Sequence, residues 1–178
     1  MSITTKALLL IAVLGVAACN NPDRYGAGAG AGAGGAGGIG GAGGIDTGNL
    51  GDPNNPRSPA YFNQTIGDRV LFAVDTSTLS DAARGTLAQQ AVWLQTNTDY
   101  AIIIEGHADE QGTREYNLAL GARRANSVQE FLISQGIAPS RLRTVSYGKE
   151  RPIEVCSEES CYSRNRRAVT VISTGAGA

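Results

Sequence analysis

The chain has a single histidine, His107, and only three cysteines among its 178 residues. A metal centre needs several nitrogen, sulfur or carboxylate ligands brought together, and a nucleophilic site needs a base oriented toward the nucleophile. One histidine without a companion histidine or free thiol supplies neither, so neither a metalloenzyme nor a nucleophilic enzyme is expected, and no cofactor or metal. An excess of one charge is also missing. Fifteen basic residues face 16 acidic ones, for a formal net charge of −1. That leaves no basic footprint for nucleic acid. Long apolar runs are absent as well. Ala7 to Val16, about ten residues, is too short to span a bilayer.

What that short run does fit is the apolar core of a secretory signal over residues 1–18. Lys6 precedes it and the small residues Ala17 and Ala18 follow it, directly before Cys19. Val16-Ala17-Ala18-Cys19 resembles the bacterial lipobox, in which diacylglycerol is attached to the cysteine thiol and the signal is cut just before it. Setting Cys19 aside resolves the odd cysteine count. Cys156 and Cys161 can then pair across Ser-Glu-Glu-Ser in an oxidising compartment. So short a loop stabilises by less than the roughly 3 kcal/mol expected of a 15-residue loop, so its expected role is to shape a turn. The alternative, a metal pair, lacks companion ligands.

Gly26 to Gly44 holds twelve glycines, six alanines and Ile39. Such a run has no side chains to bury and much backbone entropy to lose, so residues 19–60 are expected to form a lipidated, flexible tether. About 43 residues of such chain average about 35 Å end to end and reach roughly 150 Å when taut. A single α/β domain is expected over residues 61–174, with a frayed tail at 175–178. Arg69 to Val74 reads as a strand. Ser80 caps a helix running to about Thr96, with Ala83, Leu87, Ala91 and Leu94 at helical spacing. Asp99 to Glu105 is a β-branched run, a mostly buried strand. Thr113 caps a second helix that reaches Gln135 and is stopped by Gly136. A short turn at Pro139 to Arg141 and strands at Arg143 to Tyr147 and Ala168 to Ile172 follow. The order predicts an α+β sandwich: a mixed sheet of about four strands with two main helices on one face.

The second helix carries the most information. With Tyr116 at zero and about 100° per residue, Ala125, Val128, Phe131 and Leu132 share the face that packs on the sheet. Arg123, Asn126, Glu130 and Ser134 point to water. Arg124 and Asn117 nonetheless fall on the apolar side, with Gly121 close by. A buried guanidinium costs several kcal/mol unless it is partnered. An internal ion pair to Asp109 is one reading. The other keeps Arg124 free for a ligand carboxylate, with Gly121 leaving room and Asp109 holding a ligand ammonium. His107, at the end of the central strand, is expected to be polar and structurally satisfied rather than catalytic.

The stretch EGHADEQGTREYNLALGARRANSVQEFL, Glu105 to Leu132, resembles the signature of OmpA-like peptidoglycan-binding domains. VSYGKERP and YSRNRRAVTV are similar to the lipoprotein branch of that family, and the likeness covers about residues 61–174. The resemblance implies a ligand, the meso-diaminopimelate of the cell-wall stem peptide. It implies that Asp109 binds the ammonium and Arg124 the carboxylate, with Asn117 and Asp75 as further polar contacts. Arg166 is a further candidate, with a surface or strand-end arginine as the alternative. It implies no catalysis. It also implies membership of the Tol-Pal system, with peptidoglycan and TolB as partners, an outer-membrane lipid anchor, and a part in membrane constriction at division. Asn20 is not the aspartate that retains some lipoproteins at the inner membrane, which favours the outer one.

Overall fold

The computed structural model describes residues 49–174. The expectations for the signal, Cys19, the glycine-alanine stretch and the last four residues lie outside them. Successive isoleucines favour extended backbone, and they form the middle of β2, Tyr100–His107. Alternation turns Tyr100, Ile102 and Ile104 into the core, while Ala101, Ile103 and Glu105 stay half-buried on the other face. Helices cover one face of the sheet only, which is why the strand is less completely buried than its composition suggests.

β2 pairs antiparallel with β4, Arg167–Thr174, and parallel with β3, Leu142–Gly148, with a register shift at Gly106/His107. A three-residue strand, β1, Arg69–Leu71, lies antiparallel on the outer side of β4, so the order is β1-β4-β2-β3. β1 ends before Val74. Phe72 still donates its N–H to Arg166 O, but Ala73 and Thr76 turn their carbonyls to an arginine of the long helix instead of to a strand.

A single turn, α1, Pro59–Tyr61, runs into a π-helical stretch, Phe62–Gly67. The helix α2, Asp81–Thr96, starts where Ser80 accepts from the N–H of Ala83. Its buried positions include Ala83, Leu87, Ala91 and Leu94. The long helix α3, Arg114–Ser134, starts at the Thr113 cap. It ends in a left-handed turn: Gly136, at φ 92°, donates to Ile133 O, and Ile137 donates to Leu132 O. Leu120, Ala125, Val128 and Leu132 face the sheet. A fourth helix, α4, Glu159–Asn165, was not expected, because only Asn165 of its residues is buried and no apolar stripe marks it.

Gly121 does not make room for a ligand. A Cβ on Gly106 would fall 1.8 Å from Gly121 O, and one on Gly121 would fall 2.4 Å from Ser146 Oγ. The glycine pair lets α3 lie directly on β2 and β3, and protein atoms fill the space. Residues ahead of Tyr61 also join the domain. Trp93 Nε1 donates to Pro56 O and the Tyr100 hydroxyl donates to Arg57 O. Among the described residues, no helix is long and apolar enough to cross a membrane.

Candidate functional site

The chain leaving the carboxyl end of β2 brings Asp109, Gln111 and Gly112 to a cleft between the 73–76 loop and the start of α3. The cleft encloses about 240 Å³. Asp75, Asp109, Tyr116 and Asn117 line it together with the apolar Val74 and Leu120. Three of the four main candidates, Asp75, Asp109 and Asn117, therefore meet in one place.

The fourth, Arg124, lies behind the cleft rather than on its wall. Its exposure is 0% while that of Arg123 leaves the side chain in solvent, so the helix phase separates the two. The ion pair to Asp109, one of the two readings, is not formed. The guanidinium donates from Nε to Thr76 O (2.8 Å), from Nη1 to His107 O (2.8 Å) and from Nη2 to Ala73 O (3.1 Å). Its Cζ lies over the Phe72 ring, 5.2 Å from the ring centre. An arginine has five N–H donors, so two remain without an acceptor among the described residues. Burial pushes its pKa down to about 10, Asp109 and Asp75 oppose the shift, and Arg166 adds to it. The charge persists at neutral pH, and among the described residues no carboxylate contacts it.

Asp109 pairs instead with Arg166, whose Nη1 donates to Oδ2 at 3.1 Å. Its other oxygen accepts from the N–H of Gln111, and the side chain is 10% exposed. Arg166 is itself buried. It also donates to Phe72 O and pairs with Glu159. The Glu159 contact holds the Arg166 pKa above its ordinary value. The reading of Arg166 as a surface arginine is thus corrected: it is part of the charge network behind the cleft. Asn117, also buried, donates to Gln111 O at 2.6 Å and so braces the loop before α3.

Asp75 has φ 55°, a left-handed conformation uncommon for a residue with a Cβ. It accepts a hydrogen bond from the Tyr116 hydroxyl, which raises the tyrosine's pKa. Sequence reasoning passed over Tyr116 and Glu159. Tyr116 lies one residue before Asn117 on the first turn of α3, and that placement was available as a signal. Glu159 gave none: it is an exposed carboxylate in a segment without an apolar stripe, and nothing in the pattern marks Arg166, seven residues on, as its partner.

His107 is buried, at 1% exposure, but not satisfied: among the described residues neither ring nitrogen has a hydrogen-bond partner, and Nε2 lies 3.5 Å from Glu105 Oε2. The ring lies 5.5 Å from that of Tyr147. Burial, then Arg167 and Arg151, lower its pKa to about 4, so it is neutral at pH 7. Cys156 and Cys161 are joined by a disulfide. Among the described residues, no group of histidines, cysteines or carboxylates is placed to hold a metal ion. The arrangement offers acidic groups at the mouth of a small cleft and a buried cation beneath it, which suits a ligand carrying an ammonium beside a carboxylate.

The sequence profile of the OmpA family matches residues 71–166. A peptidoglycan-associated lipoprotein of Mesorhizobium japonicum is 59% identical over 122 residues, 68% of this chain and 72% of that one. One from Rhizobium meliloti is 44% identical over 170 residues, 96% of this chain and 86% of its own. The crystal structure of the peptidoglycan-associated lipoprotein from Burkholderia pseudomallei matches with a TM-score of 0.61 at 36% identity, covering 68% of this chain and 100% of that one. Sequence and architecture agree, and the chain belongs to the OmpA family, in the branch of the peptidoglycan-associated lipoproteins.

Proposed function

We propose that the chain ties the outer membrane to the cell wall, with a lipid on Cys19 at one end and a non-covalent grip on the stem peptide at the other. The observation that carries the grip is the pairing of an acidic cleft, with Asp75 and Asp109, to the buried and carboxylate-free Arg124 behind it. Diaminopimelate presents an ammonium and a carboxylate on one carbon. The ammonium matches Asp109. The carboxylate matches the two free donors of Arg124, reached when the 73–76 loop yields its carbonyls. A planar fork suits a carboxylate better than a point charge would. Asn117 holds the loop that shapes the mouth. In this reading the chain binds and does not catalyse. The relatives named as peptidoglycan-associated lipoproteins support it, as does the lipobox-like order before Cys19. The same likeness supports a place in the Tol-Pal system, with TolB as periplasmic partner and a part in drawing the outer membrane inward at division.

Calorimetric titration with a stem peptide containing meso-diaminopimelate should give saturable binding, and a peptide with lysine in that position should bind more weakly. Asp109→Asn should weaken the first by about tenfold or more, the scale of a lost charge-assisted contact. Equal binding of the two peptides, or none, would sink the reading.

A further inference from the structure

We propose that Glu159, held in place by the Cys156–Cys161 disulfide, sets the charge selectivity of the cleft by neutralising Arg166, so that Asp109 stays available to a ligand cation. The inference rests on the proposed stem-peptide grip and adds a residue to it.

Two guanidiniums, Arg124 and Arg166, lie behind a cleft that holds Asp75 and Asp109. Without another carboxylate, Arg166 has one acidic partner, Asp109, and would draw both of its oxygens. A planar guanidinium binds a carboxylate best in that two-pronged way. An aspartate so occupied offers little to an incoming ammonium. Glu159 changes the balance. It takes Nη2 of Arg166 and also accepts from Nη1 at 3.3 Å, leaving one contact, at 3.1 Å, to Asp109. Arg166 raises no barrier to a cation, and Asp109 keeps most of its charge.

Glu159 needs outside support to do this. It is the first residue of α4, a helix of seven residues, and the N-cap residue, Glu158, makes no side-chain capping bond. Helices this short do not hold themselves together in water. Two other ties fix it. The disulfide joins the segment just ahead of α4 to its third residue. At the far end Asn165 donates to Glu110 Oε1 at 2.6 Å and accepts from the N–H of Ile153. The Glu159 side chain is 65% exposed, so its replacement leaves the core untouched.

The test uses the full chain in detergent micelles and two stem peptides. One has the free carboxylate on the diaminopimelate side chain; in the other that carboxylate is amidated, which leaves the ammonium alone. In Glu159→Gln the amidated peptide should weaken by about two- to fivefold, the size that an exposed ion pair delivers. The free-carboxylate peptide should weaken less, because the unneutralised Arg166 favours its anion. The ratio of the two affinities therefore rises. Glu159→Asp keeps the charge and should keep the ratio. The double variant Cys156→Ser, Cys161→Ser should shift the ratio in the same direction as Glu159→Gln, and combining all three should add nothing. A ratio unchanged in Glu159→Gln overturns the selectivity role. A wild-type ratio in the disulfide variant overturns the brace. Failure of the wild type to bind either peptide rejects the stem-peptide grip itself, and this inference with it.

Discussion

Arg124 and Arg123 are adjacent in the sequence and opposite in environment. Arg124 satisfies three backbone carbonyls, those of Ala73 and Thr76 in the loop after β1 and that of His107 at the end of β2. Truncating it takes the guanidinium donor from all three at once, and each buried unsatisfied group costs about 1–3 kcal/mol. Arg124→Ala should therefore lower the unfolding free energy by about 3 kcal/mol or more in urea, while Arg123→Ala should stay within about 0.5 kcal/mol of wild type. Similar losses from both would contradict the separation. His107 gives a pH signature. The folded protein accepts the proton near pH 4, whereas an unhindered histidine accepts it near 6.5. Between those values the unfolded chain binds more protons, so stability falls as the pH falls through that window. The part due to His107 is at most about 3 kcal/mol. Thermal unfolding followed from pH 7 to pH 4 should show the decline. In His107→Gln, which leaves Glu105, Arg151 and Arg167 in place, the slope should flatten. An unchanged slope would show that other groups cause it.

At the level of elements, the fit between α3 and the sheet depends on two glycines with no side chain between them. An alanine in a helix ordinarily gains up to about 1 kcal/mol over glycine. At Gly121 the sign should reverse, because the new methyl meets Ser146 Oγ and the backbone of Gly106. Gly121→Ala should lose about 2 kcal/mol or more by denaturant titration, in the range of an overpacked core, and a neutral result would mean that the helix can shift outward. The long helices were legible in the sequence for simple reasons. α3 runs through almost six turns, enough for its apolar side to repeat, and Thr113 and Gly136 mark its ends. The same phase placed Arg124 inside and Arg123 outside. What Arg124 would bond to was not legible, because backbone carbonyls leave no trace in composition; a carboxylate partner was the natural expectation, and it went to Arg166 instead. α4 and the π-helical stretch escaped for want of length. The partnership of Asp109 with Arg166 joins positions 57 apart in the chain, a distance across which no periodic pattern can speak.

For the domain as a whole, the segment before Tyr61 is stitched down by two long side chains rather than by a strand. Trp93 and Tyr100 also stack in series with Phe62, with ring centres 4.9 and 5.3 Å apart. A chain beginning at Tyr61 should fold but melt several degrees below one beginning at Asn49. It loses the bonds to Pro56 and Arg57, each worth about 1 kcal/mol, which for a domain of this size corresponds to roughly 4 °C apiece. Identical melting of the two chains would show that the stitch contributes nothing. The same two bonds have a mechanical meaning. A pull applied at the amino end of the domain meets the ring stack and its two hydrogen bonds first, and only then the edge strand β1, whose three residues would otherwise peel from β4 one bond at a time. Stretched from that end, the domain should yield in two steps: a small early release of residues 49–58, then rupture of the sheet at higher force.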